Sequence, residues 1–209
     1  MEKIVTKRTE KQEPVHAKPR QMRADGQRKM SSLLQAAMEV FAESGVDAPV
    51  REIAERASVG LGTVYRHFPQ RSDLIVAVFQ SQVDACADAA VALARKYEPG
   101  EALARWMQRF VDFVATKRGL AAALHSGDPA YRALPEYFDK RLKPALVGLL
   151  NAAIAANAVR PGIEPGDLLR AVATLCHGPH GKEPAYARRM VELLVDGLRY
   201  GAGTRISKR

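Results

Sequence analysis

Residues 50–71, Val-Arg-Glu-Ile-Ala-Glu-Arg-Ala-Ser-Val-Gly-Leu-Gly-Thr-Val-Tyr-Arg-His-Phe-Pro-Gln-Arg, constrain this chain more than any other stretch. Pro49 sits where the first turn of a helix tolerates it. Val50 to Ala57 follows as a short helix with Ile53, Ala54 and Ala57 on its buried side. Ser58-Val59-Gly60 reads as a tight turn, Leu61 to Phe68 as a second short helix, and Pro69 ends it. The second helix opens on small, exposed, hydrogen-bonding residues. Two short helices so joined have the form of a helix-turn-helix, whose second helix enters the DNA major groove.

The surrounding chain is helical throughout. Met30, Leu33, Leu34, Ala37, Met38 and Phe41 recur every three or four residues, the stripe of an amphipathic helix that begins near Gln27 and stops at Gly45. Ser72 is placed to cap a long helix reaching about Tyr97, with Leu74, Ile75, Val78, Phe79, Val83, Cys86 and Ala90 on one side. Apolar helical segments follow at Leu103–Val114, Leu120–Leu124, 131–157 (bent or broken at Pro144), Leu168–His177 and Ala185 to about Tyr200. No alternating strand pattern and no solenoid repeat interrupts them. The fold class is all-α.

Charge points the same way with less force. The chain of 209 residues carries a net charge of +9, which favours a polyanionic partner. Residues 1–30 hold nine Lys/Arg against four Asp/Glu, whereas residues 31–71 hold four against five. The motif itself is therefore nearly neutral, and the positive charge precedes it. Residues 1–26, polar and carrying Pro14 and Pro19, read as a disordered basic arm. Lys18, Arg20, Arg23, Arg28 and Lys29 either add phosphate attraction or merely solubilise the chain.

The helix at 27–44, Ile53-Ala54-Glu55-Arg56-Ala57, Val59-Gly60-Leu61-Gly62-Thr63-Val64-Tyr65-Arg66-His67-Phe68, Arg71 and Leu74-Ile75 resemble the DNA-binding domain of TetR-family transcriptional regulators. The Gly-Thr-x-Tyr-x-His-Phe string, three residues before a basic position that opens a long helix, is the specific part. The segments Leu168-Leu-Arg-Ala-Val and Ala187 to Arg199 look like the regulatory domains of one TetR subgroup. The resemblance implies an N-terminal three-helix helix-turn-helix domain joined by a long helix to a C-terminal helical ligand-binding and dimerisation domain. The expected division is a disordered arm over 1–26, a DNA-binding domain over 27–75, a regulatory and dimerisation domain over 76–203, and a disordered tail over 204–209. It also implies that Leu61, Gly62 and Thr63 face bases and nearby backbone, that Tyr65, His67 and Arg71 hold phosphates, and that Arg51 reaches DNA.

Three features depart from the family pattern. Pro49 and Val50 replace hydroxyl residues that contact phosphate, the motif is nearly neutral, and Ser58 occupies a turn position usually held by Gly. A positive φ at Ser58 is expected to cost on the order of 1 kcal/mol. Tyr65 and Phe68 are open to reading as core aromatics, and His67 as a solvated surface residue.

In the C-terminal half, Trp106, Phe110, Phe113, His125, Tyr137 and His177 are candidates to line an effector pocket; Met107, Leu124, Tyr131 and Phe138 accompany them. The same aromatics at helical spacing also read as bundle core. Leu168, Leu169, Val172, Leu175 and Cys176, with Met190, Leu193, Leu194, Val195 and Leu198, form two apolar faces suited to a homodimer or to the core of one chain. His125 and the Cys176-His177…His180 group lack an acidic partner, so no metal or other cofactor is expected. Adjacent Cys176 and His177 point about 100° apart around a helix, which leaves no nucleophile–base pair and no expected enzyme. Cys86 and Cys176 read as reduced, buried thiols. No apolar leader and no run of about 18 apolar residues is present, so a cytoplasmic protein without a membrane partner is expected. The partners implied are double-stranded DNA, a second subunit and an unidentified small molecule. The function implied is a repressor released from a palindromic operator, the alternative being an effector-independent activator or architectural factor.

Overall fold

The computed structural model describes residues 19–116, 120–124, 126–177 and 184–200, and among them every regular element is helical. Helix α1 (Pro19–Ser44) starts eight residues before the expected Gln27. Pro19 suits a first helical position, and the Arg, Gln, Met and Ala that follow are good helix formers broken only by Gly26. The segment 19–26, expected to be disordered, is therefore helical; residues 1–18 and 201–209 lie outside the described residues. Leu33, Ala37, Val40 and Phe41 form the buried stripe of α1, and Gly45 ends it at φ +80°.

The two motif helices are α2 (Val50–Arg56) and α3 (Leu61–His67). Their turn is a Schellman motif: the Val59 amide donates to the Ala54 carbonyl at 2.9 Å and the Ser58 amide to the Glu55 carbonyl at 3.0 Å. Such a turn needs a left-handed residue, and Ser58 supplies it at φ +54°. Ser58→Gly is therefore expected to stabilise the fold by about 0.5–1 kcal/mol, part of the relief being offset by the greater freedom of an unfolded glycine. A urea unfolding curve with an unchanged slope and a raised midpoint is the readout.

Helix α4 (Arg71–Lys96) is capped by Gln70 and Asp73 rather than Ser72; the Gln70 amide donates to Asp73 Oδ2 at 2.9 Å. Its most apolar window has a mean hydropathy of 1.4, and 44% of that window is buried. Packing explains the composition, because α4 lies against α1, α5 (Pro99–Thr116) and α7 (Leu134–Ala155) at once. The remaining elements are α6 (Ala121–Leu124), a 3-10 turn at Pro129–Tyr131, α8 (Pro165–His177) and α9 (Pro184–Arg199). α7 continues through Pro144 as one helix.

The core is built on α5. Trp106 and Phe110 stack at 5.7 Å between centroids, Phe110 and Phe113 at 5.9 Å, and Phe79 and Phe138 close around them. The Trp106 indole Nε1 donates to the Cys86 carbonyl oxygen at 2.9 Å. Cys86 and Cys176 are both buried, and burial pushes the Cys86 thiol up to about 12.

Candidate nucleic-acid interface

Helix α3 has only two turns, so its attitude is set by what anchors it. Val64 is that anchor, at 1% exposure, and Phe68 and Leu61 pack half-buried beside it. At about 100° per residue, Gly62 and Arg66 lie about 160° from Val64, on the outward side, flanked by Thr63 and Tyr65. Gly62, Tyr65, Arg66 and His67 are exposed and Thr63 is half-exposed. The two aromatics thus part company: Phe68 packs against the core while Tyr65 remains 50% exposed. His67 is exposed, its ring tilted against Phe68 at 6.4 Å. Leu61, expected to face bases, instead turns a large part of its side chain inward because it sits only about 60° from Val64.

The cations around α3 divide into two groups. Arg56 is held back by α1, donating to both carboxylate oxygens of Glu43 at 2.9 and 2.8 Å. That bond holds the Glu43 carboxyl below its ordinary range and pins α2 on α1. Arg51, in the first turn of α2, and Arg66 are exposed and make no ion pair among the described residues. Arg66 was not singled out from the sequence, although its place two residues after Val64 marks the outward face. Arg71 is half-buried: Nη1 donates to the Val46 carbonyl and, at 2.7 Å, to the Ala48 carbonyl.

The candidate pocket residues are likewise redistributed. Trp106 and Phe110 are fully buried in the packed core, while Phe113, nearly as buried, also borders a smaller cleft with Gln35, Met38 and Gln82. Tyr137 donates its hydroxyl to Asp84 at 2.8 Å, and Arg141 Nε reaches the same carboxylate at 2.6 Å, tying α7 to α4. Burial, then the Asp84 bond, raises the Tyr137 phenol above its ordinary value. His125, His180 and the side chain of His177 lie outside the described residues. A cleft of about 320 Å³ opens instead beside Phe79, Leu124, Tyr131, Leu134, Pro135, Phe138 and Asp139. Leu124, Tyr131 and Phe138 from the sequence set do line it. The aromatics divide because helical spacing is common to core and cavity, and only packing separates them.

A short helix anchored by one apolar side chain, polar on its outward face and preceded by a second helix through a left-handed turn, defines a helix-turn-helix DNA-binding protein. Residues 33–78 match the family described as bacterial regulatory proteins, tetR family, and residues 98–200 match the C-terminal domain of SbtR-like transcriptional regulators. A TetR transcriptional regulator from Streptomyces coelicolor is 36% identical, covers 81% of this chain and 97% of its own, and superposes with a TM-score of 0.69. The chain belongs to the TetR family and is a DNA-binding transcriptional regulator. A TetR transcription regulatory protein from Mycobacterium vanbaalenii is 35% identical, covering 85% of this chain and 99% of its own at a TM-score of 0.70. LfrR from Mycobacterium smegmatis, in complex with proflavine, is 26% identical, with coverage of 88% and 99% and a TM-score of 0.59. An HTH-type transcriptional regulator of Staphylococcus aureus is 36% identical over 64 residues, 30% of this chain and only 35% of that protein's length.

Proposed function

We propose that the protein is a cytoplasmic, homodimeric repressor that leaves a palindromic operator when a small molecule binds its C-terminal half. The observation that carries this is the double engagement of α4: it packs on α1 of the DNA-binding region, and its Phe79 forms a wall of the cleft. A ligand that favours one setting of α4 therefore biases the reading heads through a single helix. We place the division between DNA-binding and regulatory domains within α4, near residue 75. Gly62, Thr63 and Arg66 meet base edges in this reading, while Arg51, Tyr65 and His67 meet phosphates. That LfrR is found in complex with proflavine supports a small-molecule ligand for this protein.

The dimer face is narrower than the two apolar stripes of the sequence. Leu168, Leu169, Val172, Cys176, Val195 and Leu198 are buried within the chain. Leu193, at 63% exposure, remains uncovered with Gly197 on α9; half-buried Met190 borders it, while Leu194 and Leu175 pack partly against the core. Pairing of these with their copies gives a two-fold axis and hence a palindromic site.

The alternative, an effector-independent regulator, draws on the aromatic stack that fills the bundle interior, since about 320 Å³ is at the small end for ligand sites. Selection of bound duplexes from random DNA, repeated with a metabolite library, decides. The expected outcome is one recovered palindrome whose binding weakens with a particular compound. Recovery of no palindrome overturns the repressor reading, and binding indifferent to every compound favours the alternative.

A further inference from the structure

The α1–α2 turn carries carbonyls that no helix can satisfy. Residues 45–49, Gly-Val-Asp-Ala-Pro, offer few donors, because Pro49 has no amide hydrogen and the Ala48 amide is spent on the Gly45 carbonyl at 3.3 Å. Ala48 is 4% exposed, so its carbonyl is left with little water. The Arg71 guanidinium, coming from the first residue of α4, bonds both Val46 and Ala48 across 25 and 23 positions of sequence. Bonds from a charged donor to buried carbonyls are stronger than neutral ones. An outward-pointing cation at that position would be solvated; this one is half-buried and turned inward.

We propose that Arg71 is a positioning residue, a tether that fixes the α1–α2 turn to the foot of α4 and so sets the angle between reading head and lever, rather than a phosphate contact. The tether also stands next to the regulatory half. The 3-10 turn at Pro129–Tyr131 packs on α4, and Tyr131 is a wall of the cleft. The Arg71 charge reaches its phenol, opposing the rise that burial and Asp128 impose.

The test compares the wild type with Arg71→Gln and Arg71→Lys by amide hydrogen exchange and by selection of duplexes from random DNA. A tether predicts faster exchange confined to residues 45–57 in Arg71→Gln, with partial recovery in Arg71→Lys. It also predicts tolerance of half-site spacings shifted by a base pair, about tenfold weaker binding to the wild-type duplex, and an unchanged salt slope. A phosphate contact predicts the opposite: unchanged exchange and spacing, and a slope reduced by about 0.9 per subunit. A generally weakened fold predicts faster exchange in every helix and equal loss at all spacings. Either result overturns the tether. The spacing arm rests on the dimeric repressor reading. If no palindrome is recovered even for the wild type, that reading fails, and the exchange arm alone then upholds or overturns the tether.

Discussion

Leu193→Glu is expected to yield a folded chain that sediments as a single subunit and binds its selected duplex about 100-fold more weakly, or worse. Leu193 is mostly exposed on the outer side of α9, so a carboxylate there meets water in the isolated chain and disturbs no core contact. In the proposed dimer it would meet its own copy across the two-fold axis, beside the half-buried Met190. An unpaired charge buried twice over strongly opposes association. Losing the second subunit removes the effective concentration that couples two half-site contacts, commonly worth 10²–10⁴ in affinity. Sedimentation velocity and a titration of the selected duplex measure the two effects. A variant that remains dimeric sinks the assigned face, while one that is monomeric with undiminished affinity sinks the palindrome. Gly197 opens on the same side with nothing within 4 Å of an added Cβ, so Gly197→Ala should be tolerated by the isolated chain and affect only assembly.

Trp106→Ala is expected to lower the stability of the C-terminal half by about 3–5 kcal/mol, the range for removing a fully buried large aromatic. Trp106 has no exposed surface, stacks at 3° on Phe110, and donates its indole hydrogen to the Cys86 carbonyl. The loss combines transfer of apolar area, a cavity between α4 and α5, and one hydrogen bond. Trp106→Phe keeps a ring in the stack and should lose substantially less. Because Trp106 is the chain's one tryptophan, unfolding of the variants is followed by far-UV circular dichroism. A loss below 1 kcal/mol for Trp106→Ala would place the residue in a deformable cavity wall instead of the core. That outcome would revive it as a ligand-pocket residue.

The two experiments address opposite faces of one ambiguity. Apolar residues at helical spacing identify a helix and its sides, yet they do not say what covers each side. Val195 and Leu198 pack inside the chain while Leu193, on the same helix, faces out. Trp106 and Phe110 fill the bundle, whereas Phe138, at the edge of the same aromatic cluster, also borders the cleft. The basic segment ahead of the motif was misread for a related reason. Its low apolar content excludes a core but not a helix, and α1 begins at Pro19.

By itself the sequence determined the helix-turn-helix, its boundaries to within a few residues, the turn at Ser58-Val59-Gly60 and the all-helical class. Those properties are local, carried by three- and four-residue spacing, prolines at helix starts and a turn whose hydrogen bonds span five residues at most. Only the tertiary structure decided that Arg71 turns inward to Val46 and Ala48, that Arg56 belongs to Glu43, and that Tyr137 is spent on Asp84. Each partner there lies 13 to 53 residues away. A cation or hydroxyl is chemically as well suited to a carbonyl or carboxylate as to a phosphate. Which one it meets depends on where the packed helices bring it.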